Sequence, residues 1–167
     1  YGLTDLFRIA CDIASRSRGS NPPAIRVSHW RQDGDAIVCT YDSAPRSQHA
    51  LSHLITPPSI VLPDQMQPMR SLAEWMATLH RGGATLCSVC AGAFVLAETG
   101  LLQGREATTH WAFAETLASR FPTVRVDADR MLIDDGDIIT AGGILAWTDL
   151  GLTLVERLLG PSVMLDT

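Results

Sequence analysis

The sequence has 167 residues, a net charge of −5 and a pI near 5.4, with 46% hydrophobic and 19% charged residues. That length suits one domain with its own core, the composition argues against disorder, and no apolar run approaches the roughly 20 residues of a membrane span. Lysine is absent and the arginines are scattered along the chain, so the domain lacks the clustered basic face that phosphate backbones require, and any DNA contact has to come from another segment.

Leu3 to Ser17 is expected to be a helix, with Leu3, Leu6, Ala10 and Ile13 on one face and Gly19 and Asn21-Pro22-Pro23 ending it. Ala24 to Trp30 alternates as a strand does, Asp33-Gly34 turns the chain, and Ala36 to Tyr41 reads as a second strand. Asp42 to Ala50 is a polar loop, and the short apolar run Leu54-Ile55 stops at Pro57-Pro58. Ser71 to Arg81 is amphipathic, with Leu72, Trp75, Met76 and Leu79 facing inward and Gly82-Gly83 closing the helix. Thr85 to Val89 is a strand running into a helix from Ala91 to Glu98, which Gly100 ends. His110 to Arg120 is a further helix and Val124 to Val126 a short strand. Met131 to Ile133 and Ile138 to Thr140 flank the turn pair Asp135-Gly136, a strong hairpin signal. The last helix spans about Ile144 to Leu159, and Gly160-Pro161 stops it. Strands and helices alternate over much of the chain, which predicts an α/β fold, a mostly parallel sheet with helices on both faces.

The most informative stretch is Thr85-Leu86-Cys87-Ser88-Val89-Cys90-Ala91-Gly92-Ala93-Phe94. An apolar strand meets a helix with a cysteine at the junction, the pattern of a nucleophile elbow that lifts its side chain above the carboxyl edge of a sheet. Gly92 lets the helix approach the strand, and the amide groups at the helix start would favour a Cys90 thiolate. The competing reading is a buried structural cysteine at a strand end.

Tyr1-Gly2-Leu3-Thr4-Asp5 has no basic n-region, so no signal peptide is visible. The four cysteines Cys11, Cys39, Cys87 and Cys90 therefore read as reduced thiols in a cytoplasmic protein. Cys11 and Cys39 lie among apolar residues and read as core. Cys87 and Cys90 form a C-x-x-C, but Cys87 falls inside a strand and two further zinc ligands are wanting. His49 and His53 are four apart on a segment whose prolines argue against a helix. No metal site and no cofactor is expected. Trp75 and Trp147 are expected to pack into the core, Trp30 is ambiguous, and Trp111 either packs or lines a cleft.

Several segments together resemble the ThiJ/PfpI, or class I glutamine amidotransferase-like, superfamily. They are the elbow run Ser88-Val89-Cys90-Ala91-Gly92-Ala93-Phe94 continuing to Leu102, the "ATTHW" run Ala107 to Trp111, Arg120-Phe121-Pro122-Thr123-Val124 continuing to Asp127, Asp134 to Gly143, Ala146 to Leu152, and Leu159 to Leu165. They are similar in particular to the sensor half of GlxA-type AraC-family transcriptional regulators. The resemblance implies a flavodoxin-like three-layer sandwich forming a single domain over residues 1–167. It also implies a strand ahead of the first helix and a C-terminal pair of helix-turn-helix motifs, neither of which is among these residues.

By position in the family pattern, Cys90 matches the reactive cysteine, Asp5 the acidic residue of the first helix that faces it, and His110 a nearby imidazole. Ala91, Gly92, Trp111, Pro58 and Ser59 are the matching pocket residues. Each has a plainer role open to it: Asp5 at the N-terminus of its helix, His110 as a cap, Asp149 as an ordinary helix residue.

The implied function is ligand sensing and dimerisation, as a homodimer that binds a small molecule and reaches DNA only through the helix-turn-helix segment, with no membrane partner and little turnover. The alternative is a cysteine-dependent hydratase or lyase acting on a small electrophile, such as an isocyanide or an α-oxoaldehyde. Isonitrile hydratases share "ATTHW" and a similar elbow, but carry Thr after the Cys where this chain has Ala91. A third reading is a structural or dimerisation domain with an inert Cys90.

Overall fold

A computed structural model describes residues 2–18, 24–46 and 50–167. The helix breakers Gly19 and Asn21-Pro22-Pro23 and the imidazole of His49 lie outside the described residues. The elements, in order, are α1 (Gly2–Arg18), β1 (Ser28–Asp33), β2 (Ala36–Asp42), β3 (His53–Thr56), α2 (Arg70–Arg81), β4 (Thr85–Val89), α3 (Gly92–Ala97), β5 (Glu106–Ala107), α4 (Ala114–Arg120), β6 (Arg125–Val126), β7 (Leu132–Asp134), β8 (Ile138–Ala141), α5 (Trp147–Leu159) and α6 (Pro161–Asp166).

The chain divides into two compact units. One gathers residues 1–31, 38–48 and 148–167. Its core is helical: Phe7, Ala10 and Ala14 of α1 are buried, as are Leu150, Leu154, Val155 and Leu159 of α5 and Val163 of α6. Gly151 brings α5 onto α1, since a Cβ there would meet Leu3 Cδ2 at 2.9 Å and Leu6 Cδ1 at 3.3 Å. In the same unit Asp42 accepts a bidentate pair from Arg26, a geometry that orients both groups.

The other unit gathers residues 32–37 and 49–147. Its sheet has the order β3-β4-β8-β7. β3 and β4 run parallel, with Leu54 opposite Leu86 and Thr56 opposite Ser88. β4 and β8 run parallel, with Ser88 opposite Thr140. β7 closes the sheet antiparallel to β8, as the Asp135-Gly136 turn predicts. β4 is buried from Leu86 through Val89 and reads as an unbroken apolar run except for Ser88, the signature of a central parallel strand covered on both faces. Met76 of α2, Phe94 and Leu96 of α3, Leu117 of α4, Leu86 and Ile138 form one core cluster.

Several details depart from the expectations. The first strand starts at Ser28 rather than Ala24 and runs on to Asp33, so the turn falls on Gly34-Asp35. His110 to Arg120 is not one helix: a 3₁₀ turn over Trp111–Phe113 precedes α4. The last long helix begins at Trp147, because Gly142, Gly143 (φ 69°) and the residues after it form an irregular loop. Gly160-Pro161 does stop it, but Pro161 also opens α6 from its first position, where a missing N–H costs nothing. Cys39 is exposed on β2 rather than in the core, and Cys11 is half-buried. Trp147 is half-buried and Trp30 is 37% exposed, while Trp75 packs against the core cluster as expected. No helix among the described residues is long and apolar enough to cross a membrane.

Candidate functional site

β4 ends at Val89 and α3 begins at Gly92, so the strand-to-helix junction is only Cys90 and Ala91. A turn this short requires Cys90 to take φ 54°, and it is the one non-glycine residue at positive φ among those described. An L-residue is held there at a cost of about 1–2 kcal/mol, so the surroundings must over-determine the conformation. They do. The Cys90 N–H donates to the Ala141 carbonyl at 2.8 Å, the Cys90 carbonyl accepts from the Thr109 hydroxyl at 2.8 Å, and it accepts from the Ala93 N–H at 3.2 Å.

Gly92 is fixed by packing rather than by its φ. A Cβ there would stand 2.3 Å from the Thr56 carbonyl oxygen and 2.9 Å from that of Pro57, so only glycine lets α3 begin this close to the end of β3. The Thr56 hydroxyl lies 3.1 Å from the Cys87 carbonyl and 3.0 Å from that of Gly92, sharing one proton between two acceptors.

The result is a buried junction with little formal charge. Cys90 is 4% exposed and Ala91 fully buried. Burial pushes the Cys90 thiol above its ordinary range; the Ala91 N–H, hydrogen-bonded to the group, pulls in the other direction but less strongly. The expected helix-start stabilisation of a thiolate is therefore outweighed by desolvation, and α3, six residues long, offers only a short dipole.

Pro58 and Ser59 continue from the Thr56-Pro57 segment that touches Gly92; both are half-buried, and the Ser59 hydroxyl accepts from the Val61 N–H. His110 follows Thr109 and is half-buried. Its Nδ1 accepts from the Ala112 N–H at 3.2 Å, so it does cap its own turn, and the neutral ring then carries its proton on Nε2. Trp111 is 75% exposed and stacks obliquely on the His110 ring at 5.4 Å, so it is not a packing residue. Asp5 is exposed in the first turn of α1 and belongs to the other unit. Asp149 is exposed in the first turn of α5.

A set of buried hydroxyl residues completes the arrangement. Thr56, Ser88, Thr108, Thr109 and Thr140 are the buried polar residues among those described. Thr56, Ser88 and Thr140 share one row across β3, β4 and β8, the Thr140 hydroxyl accepts from the Thr108 N–H at 2.9 Å, and Thr108 in turn donates to the Arg130 carbonyl at 2.8 Å. Thr108 and Thr109 stood in the ATTHW run and Ser88 and Thr140 in other family-like segments, none of them marked as a site residue, while Thr56 had only its polarity beside an apolar run as a signal. Among the described residues no three His, Cys, Asp or Glu side chains gather as a metal would need. Two open grooves flank α2, one beside Arg70 and Arg120 and one beside Asp35 and Trp75, and neither takes in Cys90.

A profile of the DJ-1/PfpI family matches residues 48–157. The HTH-type transcriptional regulator CdhR of Pseudomonas aeruginosa is 33% identical over 135 residues, which is 78% of this chain and 40% of that protein. The isonitrile hydratase of Pseudomonas putida is 45% identical over 74 residues, 44% of this chain and 31% of that protein. A crystal structure of an AraC family transcriptional regulator from Pseudomonas putida superposes with a TM-score of 0.61 at 18% identity, covering 98% of this chain and 88% of that one, a likeness of fold. The chain thus spans less than half the length of the curated relatives it matches. With the strand-to-helix junction, the flavodoxin-like α/β fold and the profile match in agreement, the chain belongs to the DJ-1/PfpI family.

Proposed function

We propose that this chain is the ligand-sensing and dimerisation domain of an AraC-family transcriptional regulator, cytoplasmic and homodimeric, with DNA bound by a helix-turn-helix segment elsewhere in the whole protein. The similarity to CdhR supports it, because it extends over 78% of this chain while taking up only 40% of that regulator. The chemistry of the junction agrees. A thiol that burial holds protonated is a poor nucleophile at neutral pH but an adequate wall for a small-molecule pocket, for which Ala91, Gly92, Pro58, Ser59, His110 and Trp111 are the proposed further residues. The Nε2–H of His110 is a donor available to such a ligand.

A second reading rests on the hydratase similarity, which is the higher in identity, 45%, though confined to 44% of the chain. In it Cys90 adds to a small electrophile such as an isocyanide. Ala91 in place of the hydroxyl-bearing residue of those enzymes weighs against it. One experiment separates the two: isocyanides and α-oxoaldehydes are incubated with the protein and with Cys90→Ala, and turnover is followed alongside melting temperature. The sensing domain gives no Cys90-dependent turnover. Catalytic turnover that disappears in Cys90→Ala would replace the sensing reading with the hydratase.

A further inference from the structure

Cys90 is held at φ 54° against its own steric preference, and two hydroxyls from outside the junction bond to the carbonyls around it. Thr109, arriving on the loop after β5, takes the Cys90 carbonyl at 2.8 Å. Thr56, at the end of β3, spans the carbonyls of Cys87 and Gly92 at 3.1 and 3.0 Å, one on each side of the strained residue. Both side chains are buried, 1% and 6% exposed, so neither bond competes with water. We propose that Thr109 and Thr56 are positioning residues, a hydroxyl clamp that holds the Cys90 turn in its left-handed conformation and so keeps the sulfur placed and shielded. The inference rests on the geometry of the turn and holds whether the turn serves sensing or hydration.

The physical logic is specific. A carbonyl flanking a left-handed residue points away from the regular helix ladder, so α3 cannot satisfy it fully; the Ala93 N–H reaches Cys90 only at 3.2 Å. A threonine fits this task because its β-branched side chain is stiff and its hydroxyl brings a donor without charge. Ser88 supplies an internal contrast. It is one of the same buried polar residues, and among the described residues its hydroxyl has no hydrogen-bond partner and makes no bond to the turn.

The test is native-state alkylation at fixed pH, with Cys90 and Cys87 resolved separately by mass spectrometry. Cys87 is fully buried in β4 and reports global opening, whereas Cys90 is exposed by opening of the turn alone. Thr109→Val removes the hydroxyl while keeping the shape, and leaving a buried carbonyl short of its partner should raise Cys90 alkylation about tenfold with Cys87 unchanged. Thr109→Ser keeps the donor and should stay within about twofold of the parent, and Ser88→Ala should leave Cys90 labelling where it was. If Thr109→Val leaves Cys90 labelling unchanged, raises both cysteines in proportion, or is matched by Thr109→Ser, the clamp is refuted. Should Thr109→Val fold poorly, Thr56→Ser and Thr56→Val carry the same comparison. A denaturation cycle adds a second readout. In a Cys90→Gly background, where the turn is unstrained, Thr109→Val must shift the denaturation midpoint less than it does in the parent, and an equal shift in both backgrounds would also overturn the proposal.

Discussion

The two ends of the central sheet are built on opposite principles. At the carboxyl edge, around Cys90, the polar groups are neutral hydroxyls and amides, buried, and bonded to one another. At the amino edge, where β8 begins, the polar groups are charged and partly in water. Asp137 accepts from both Nη atoms of Arg105, at 2.5 and 3.2 Å, and lies 2.7 Å from His80 Nε2, while Arg105 also reaches Asp135 at 3.1 Å. This network ties the end of α2 and the segment before β5 to the β7–β8 hairpin. The contrast teaches where each kind of interaction is affordable: ion pairs are tolerated at the half-exposed edge, while the enclosed edge relies on uncharged donors because an unpaired buried charge costs several kcal/mol.

The largest expected effect falls at the buried edge. Gly92→Ala forces a methyl group to within 2.3 Å of the Thr56 carbonyl, against backbone that has no room to yield, and should lower unfolding free energy by about 3 kcal/mol in urea titration. A loss below about 0.5 kcal/mol would mean that the approach of α3 to β3 is looser than described.

Next in size is the strain itself. Cys90→Gly and Cys90→Ala both delete the thiol, but only glycine occupies φ 54° without penalty. The glycine variant should be the more stable by about 1 kcal/mol; equal stabilities would show that the turn is not strained.

The same turn carries a pH signature. Because burial raises the Cys90 thiol, the folded state keeps a proton that the unfolded chain releases, and stability falls as pH rises through and beyond the ordinary thiol range of about 8.5. Cys90→Ala should flatten that alkaline slope in a series of denaturation curves.

The amino edge should respond less and in the opposite pH direction. Arg105 above all, with His80, lowers Asp137 to about 2. Its contribution is present above the usual carboxylate value of about 4 and is lost as pH falls toward 2. With the Asp137 side chain 46% exposed, Asp137→Asn should cost under about 1 kcal/mol at neutral pH. It should also weaken the acid arm and reduce the salt dependence of stability. A loss as large as that of Gly92→Ala would erase the distinction between the two edges.

How much of this was legible in the sequence follows the range of the interactions. β4, α2, the β7–β8 hairpin and the Cys90 junction rest on local signals, namely apolar runs, a 3.6-residue period, Asp135-Gly136 and a Cys followed by small residues, and each lies where those signals put it. α6 was open to the same reasoning, since Pro161 both ends one helix and starts another. The misplaced start of β1 and the 3₁₀ turn at Trp111 turn on which backbone groups find partners, which no short window encodes. At the site, Cys90 and Gly92 were visible as residue types at a junction. The roles of Thr56 and Thr109 were not, although Thr109 stood in the ATTHW run, because they exist only once a strand 31 residues from Cys87 and a loop 19 residues from Cys90 are folded onto the junction. His110 was visible, and its capping bond to Ala112 supplies the local reason for its place.

The central claim is that Cys90 belongs to a sensing pocket rather than to a catalytic thiolate. The most direct measurement is the pH dependence of Cys90 alkylation in the native protein, resolved from the exposed Cys39 and the half-buried Cys11 by peptide mass spectrometry, with Cys90→Ser as the control. A buried sensing thiol gives a midpoint above the ~8.5 of an unperturbed thiol, with little reaction at pH 7. A midpoint well below that value would reveal an activated thiolate and contradict it.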